Sequence, residues 1–118
     1  MNAKEWQGRI EQVCREAGTY RDFFVPVIET LAGILEMRDK AEAQFIEMGG
    51  KPVVEHTNSH GHTNSAKNPA YAILSDCNTQ ALAYWRDLGL TPAGYKRLNA
   101  DVVQEEKKSL EALLEKIT

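Results

Sequence analysis

Three histidines crowded into one short run, His56, His60 and His62 in HTNSHGH, form the most metal-like grouping in the sequence. An H-x3-H-x-H array has donors suited to zinc or nickel. Structural zinc sites usually need four ligands on a rigid frame. This run is rich in Asn, Gly, Ser and Thr, with Glu55 as the only carboxylate close by. It reads as a solvated loop, and no metal is assigned to it. Glu36 and Asp39 have the i, i+3 spacing of a carboxylate pair that could hold Mg²⁺. With Glu42 and Glu47 they are expected on the solvated outer face of a long helix. Cys14 and Cys77 fall at helical core positions and read as reduced packing residues. The chain shows no nucleophile elbow, no Walker lysine loop and no Gly-rich dinucleotide turn. No catalytic residue and no cofactor is expected, and the chain does not read as an enzyme.

The cations point elsewhere. Net charge is −3, which argues against a protein coated in DNA-binding charge. Its distribution is uneven. Residues 1–50 carry six Lys/Arg against nine Asp/Glu, and 101–118 carry three against five. Residues 51–100 carry five (Lys51, Lys67, Arg86, Lys96 and Arg97) against three, plus all three histidines. Any nucleic-acid contact should therefore start from that middle segment.

The elements that must position these residues are mostly helical, within a length suited to one domain over 1–118. Trp6, Ile10, Val13, Cys14 and Ala17 share a helical face, and Gly18 supplies a stop. A long helix over 22–48 is predicted, with Asp22 as N-cap and Pro26 in its first turn. Its stripe runs Phe24, Val27, Ile28, Leu31, Ile34, Leu35, Ala41, Phe45 and Met48. Residues 51–67 read as a small hairpin or a mobile loop. Asn68-Pro69 starts a helix over 69–88, Asn as cap and Pro at its first position. Its expected buried face is Ala70, Ile73, Leu74, Cys77, Ala81, Tyr84, Trp85 and Leu88. After Gly89, Thr91-Pro92 starts a short helix over 92–98. A separate C-terminal helix carries Val103, Glu106, Leu110, Leu113 and Ile117 at heptad spacing with Leu114 alongside. So short a seam will not hold a stable helix alone, so it must dock on its own subunit or on another. The fold class is thus a mostly α helical bundle. No apolar run approaches the roughly 20 residues that cross a bilayer, and the N-terminus lacks a signal-peptide pattern. A cytosolic location and no membrane partner are expected.

Helix, Gly-containing turn, and a second helix opened by Thr-Pro also form the grammar of a helix-turn-helix. In that reading Thr91 and Ala93 to Arg97 face the groove, and Lys96 and Arg97 meet phosphates or guanine edges. The other reading is a plain αα-corner, with Leu90 and Leu98 in the core and Lys96 and Arg97 solvated. Gly94 weakens any recognition helix by about 1 kcal/mol. A dimeric helix-turn-helix transcription regulator is the competing function, and a metal-dependent enzyme using the His-rich segment is a third.

The order of landmarks is itself informative. A long helix leads to Gly49-Gly50, then Asn68-Pro69, then Leu88-Gly89-Leu90-Thr91-Pro92, then Ala93 and Lys96-Arg97-Leu98. From about Trp6 to Leu98 the chain resembles the small subunits of tailed-phage and prophage terminases. The resemblance implies a non-enzymatic role in genome packaging, in the cytoplasm of a bacterial host. Such subunits recognise double-stranded viral DNA, assemble into rings, and recruit or regulate the terminase large subunit, which supplies ATPase and nuclease. It supplies no motif-matched catalytic residue. Residues 101–118 are net acidic where a basic tail would bind DNA. The DNA-binding surface is therefore expected among Lys51, Lys67, Arg86, Lys96 and Arg97.

Overall fold

The structure is a computed structural model that describes residues 1–117, and the side chains of these except for 101–106. Helix α1 (Ala3–Ala17) packs on α2 (Val25–Glu47). A hairpin of β1 (Val53–Thr57) and β2 (Thr63–Lys67) follows. Helix α3 (Pro69–Asp87) returns along α2, and α4 (Pro92–Ile117) leaves from the far end of α3.

The core lies where α1, α2 and α3 meet. Ile10 and Cys14 from α1, Ile28, Leu31, Ala32 and Leu35 from α2, Ala81 from α3 and Leu88 just past its last turn form one buried cluster. Trp6, Phe24, Ile34, Tyr84, Trp85 and Leu90 close over it half-buried. Each fully buried Leu or Ile contributes about 1.5–3 kcal/mol through area removed from water. The apolar spacing read from the sequence therefore places most of the core. Two stripe residues depart from it, because Met48 and Ile73 are exposed. Both cysteines are free and buried. Burial pushes both thiols above their ordinary range, which suppresses the thiolate a nucleophile would need.

Three further expectations are corrected. Asp22 does not cap the long helix. It opens a 3-10 turn, Asp22–Phe24, after which α2 begins at Val25 with Pro26 in its first turn. That tight turn sets Phe24 against the core and leaves Phe23 exposed, the two rings meeting edge to face. Second, the short helix and the C-terminal helix are one continuous element, Pro92–Ile117. Nothing between Leu98 and the next turn breaks a helix, and Gly94 lies within the first turn. The side chains of Val103 and Glu106 lie outside the described residues.

Third, Glu36 and Asp39 are not solvated outer-face charges, nor do they form a free Mg²⁺ pair. They anchor the start of α1. Glu36 Oε2 accepts from the Ala3 backbone N–H, and its other oxygen accepts from Lys40 Nζ at 3.2 Å. Asp39 accepts from Trp6 Nε1 at 2.7 Å, the Met1 ammonium at 3.0 Å and Arg38 at 3.2 Å. A helix N-terminus presents unpaired N–H groups and partial positive charge. Asn2 Oδ1 takes one of these donors, Glu5 N–H, and Glu36 takes another.

Acid should therefore weaken the α1–α2 contact. The Ala3 N–H, followed by Lys40, holds the Glu36 carboxyl below its ordinary range. Burial alone would raise the Asp39 carboxyl, but its hydrogen bonds from Trp6, the ammonium and Arg38 outweigh that and lower it. A carboxyl lowered in the folded state stabilises fully above its unfolded value, about 4, and loses that contribution as pH falls through the folded value. The urea midpoint of the wild type is expected to fall steeply below about pH 4. Glu36→Gln should be less stable at neutral pH with a shallower acid limb. An unchanged acid limb would contradict the assignment.

Candidate nucleic-acid interface

The five cations singled out in the sequence are all exposed. None forms an ion pair with another described residue. They fall into two groups at opposite ends of α3, about 28 Å apart at 1.5 Å per residue.

Lys51 and Lys67 flank the root of the hairpin. Asn68, fully buried, fixes that root. Its Oδ1 accepts from Ala70 N–H at 2.9 Å as the cap of α3, and its Nδ2 donates to the Lys51 carbonyl at 3.0 Å. Its backbone N–H donates to the Pro52 carbonyl at 2.9 Å. One asparagine thus starts the helix and pins both strands of the ribbon to it. Glu55 is the one acidic residue on this ribbon.

Arg86, Lys96 and Arg97 gather at the α3–α4 corner, with Asp87 between them in sequence. Gly89 turns the chain there with φ 74°, a left-handed conformation that costs glycine little. Thr91 is the cap of α4: its hydroxyl accepts from Gly94 N–H at 3.1 Å and its carbonyl from Tyr95 N–H at 2.8 Å. Gly94 is buried, and a Cβ on it would overlap the Arg86 carbonyl. Leu98, four residues on, turns inward against Gly89. The corner is therefore a packed αα-corner. Thr91 and Gly94, expected to face a groove in the helix-turn-helix reading, hold the turn together instead. Ala93, Tyr95, Lys96 and Arg97 remain exposed.

The 51–67 segment forms a hairpin, with Val53 opposite Lys67, Val54 opposite Ala66, Glu55 opposite Ser65, His56 opposite Asn64 and Thr57 opposite Thr63. Among the described residues no three His, Cys, Asp or Glu side chains come together as a metal site. Sequence reasoning passed over Asn58 and Asn64, which the register sets beside His62 and His56. The run from 55 to 65 has no apolar alternation to announce a strand, so nothing in the sequence pairs these asparagines with the histidines.

Residues 3–105 match the family of phage terminase small subunits. No curated protein and no solved structure matches the chain. The match covers the long helix, the Gly49-Gly50 break, the Asn68 cap and the packed LGLTP corner, and so the chain belongs to the phage terminase small-subunit family.

Proposed function

We propose that this chain is the non-catalytic DNA-recognition subunit of a phage packaging machine, acting in the cytoplasm of a bacterial host. It binds double-stranded viral DNA, initiates packaging, and recruits or regulates the large subunit that supplies ATPase and nuclease. The observation that carries this reading is the arrangement of charge. Glu36 and Asp39 are taken up by internal contacts, while Lys51, Lys67, Arg86, Lys96 and Arg97 stand exposed in two patches on the frame of α3. Among the described residues no helix is long and apolar enough to cross a membrane.

A few cations per subunit bind DNA weakly. Repeated around a ring they become an avid surface, even on a chain that is acidic overall. Helix α4 supports such self-assembly. Its last turns carry Leu110, Leu113 and Ile117 at 58%, 57% and 79% exposure, a stripe that leaves apolar surface for a neighbour to cover.

The test is equilibrium binding to duplex DNA across a salt series. Each phosphate contact contributes about 0.9 to the slope of log K against log salt. Lys96→Ala with Arg97→Ala is expected to flatten the slope by about 2 for each engaged subunit, and Lys51→Ala with Lys67→Ala to do the same at the hairpin root. An unchanged slope in either pair removes those residues from the interface.

A further inference from the structure

Every residue from Glu55 to Ser65 is exposed, and only Val54 and Ala66 at the root are half-buried. The hairpin therefore stands clear of the helical body as a polar ribbon. We propose that it is the element that reads base edges in the major groove of duplex DNA, with His56, Asn64 and His62 on its reading face. This rests on the DNA-recognition role proposed above and assigns sequence reading to the ribbon, leaving the α3–α4 corner to grip phosphates.

The faces of the ribbon follow from its register. Directly opposed residues of an antiparallel pair share a face, and alternate residues along a strand share it too. One face carries Val53 and Lys67, Glu55 and Ser65, then Thr57 and Thr63, whose hydroxyls meet at 3.1 Å. The opposite face carries Val54 and Ala66 at the root, then His56 and Asn64. Asn58 N–H donates to the His62 carbonyl at 2.8 Å, continuing the pairing one step, so His62 falls on this second face.

Side-chain hydrogen bonds close the tip. Asn58 Oδ1 accepts from His60 N–H at 2.9 Å and from His62 N–H at 3.0 Å, and Gly61 closes the turn with φ 79°. The polar side chains beyond the root are thus presented from a defined frame, one end of which Asn68 ties to α3.

Dimensions and chemistry match a groove. The major groove is about 12 Å wide and admits a two-stranded ribbon. Alternate strand residues lie about 6.8 Å apart, close to two base steps of roughly 3.4 Å. The His56–Asn64 pair and His62 therefore reach base pairs two steps apart. Asparagine is suited to bidentate pairing with adenine N6 and N7, and each such pair discriminates strongly against the wrong base. Lys67 lies on the opposite face at the root and Lys51 precedes β1, so neither sits among the reading residues. A protein partner would look for aromatic or aliphatic anchors, and the ribbon carries none beyond Val53 and Val54 at its root.

The experiment compares the wild type with Asn64→Ala and with His56→Ala/His62→Ala, all exposed positions whose folding circular dichroism checks. Each protein selects from a library of duplexes with random cores, and each is titrated with one fixed, unrelated duplex. The wild type is expected to enrich a recurring sequence, and the variants to lose that preference by roughly tenfold or more. Affinity for the unrelated duplex should stay unchanged. Variants that enrich the same sequence as strongly as the wild type would overturn the proposal. So would an equal loss on both DNAs, which makes the ribbon a charge or assembly contact, and so would a wild type that binds duplex without sequence preference. A wild type that binds no duplex at all would instead overturn the DNA-recognition role itself.

Discussion

Gly94→Ala is expected to destabilise the chain by about 3 kcal/mol, with a fall in Tm of roughly 15 °C. The cause is local and steric. A Cβ at residue 94 would overlap the Arg86 carbonyl and crowd that residue's Cα. Backbone cannot swing aside as a flexible side chain does, so the first turn of α4 must lift from the last turn of α3. Leu98 would then withdraw from Gly89, and the half-buried Leu90 with it. Gly33→Ala is the matched control. Residue 33 is exposed within α2 and a Cβ there meets nothing within 4 Å, so alanine should stabilise by about 0.5–1 kcal/mol through backbone entropy and helix propensity. Thermal unfolding of the two variants decides the matter. A Gly94→Ala protein that melts with the wild type would show that α4 does not pack on α3 as described.

The second large effect is expected in assembly. Replacing Leu113 and Ile117 together by Asp should reduce the protein from a ring-sized species to a monomer by native mass spectrometry. The two side chains lie on the exposed stripe of α4. The molecule is 89 Å long against 25 and 18 Å across, an outline that leaves much of α4 away from the three-helix core. A helix whose last turns leave an apolar stripe this exposed is marginal in water on its own. Burying two charges in a subunit contact without partners costs far more than such a contact supplies. The secondary structure of residues 1–98 should survive, because their core shares no residue with the altered stripe. A wild type that is monomeric, or a double variant that assembles normally, would refute this use of α4.

The sequence made the helical frame legible because burial has a period. Ile10 and Cys14, then Ile28, Leu31 and Leu35, then Cys77, Ala81 and Leu88 recur at helical spacing, and all are buried. Asn68-Pro69 and Thr91-Pro92 were readable as starts because a cap and a first-turn proline are local signals. What stayed hidden was long-range. Nothing in the spacing of Glu36 and Asp39 shows that the start of α1, more than thirty residues earlier, supplies their hydrogen-bond donors. Gly94 read as a weakness in a helix, whereas its missing side chain is what lets two helices close on each other. The polar hairpin lacked the apolar alternation that announces a strand, so its order depends on cross-strand pairing and on Asn68. For the same reason the cations were found as residues but not as two patches at either end of α3.

The role in DNA recognition is tested most directly by titrating the purified wild-type chain with duplex DNA from low to physiological salt. Saturable binding is expected, with log K falling linearly and steeply with log salt and a slope of several units because many phosphates are engaged at once. Absence of binding at low salt, or binding indifferent to salt, would contradict it.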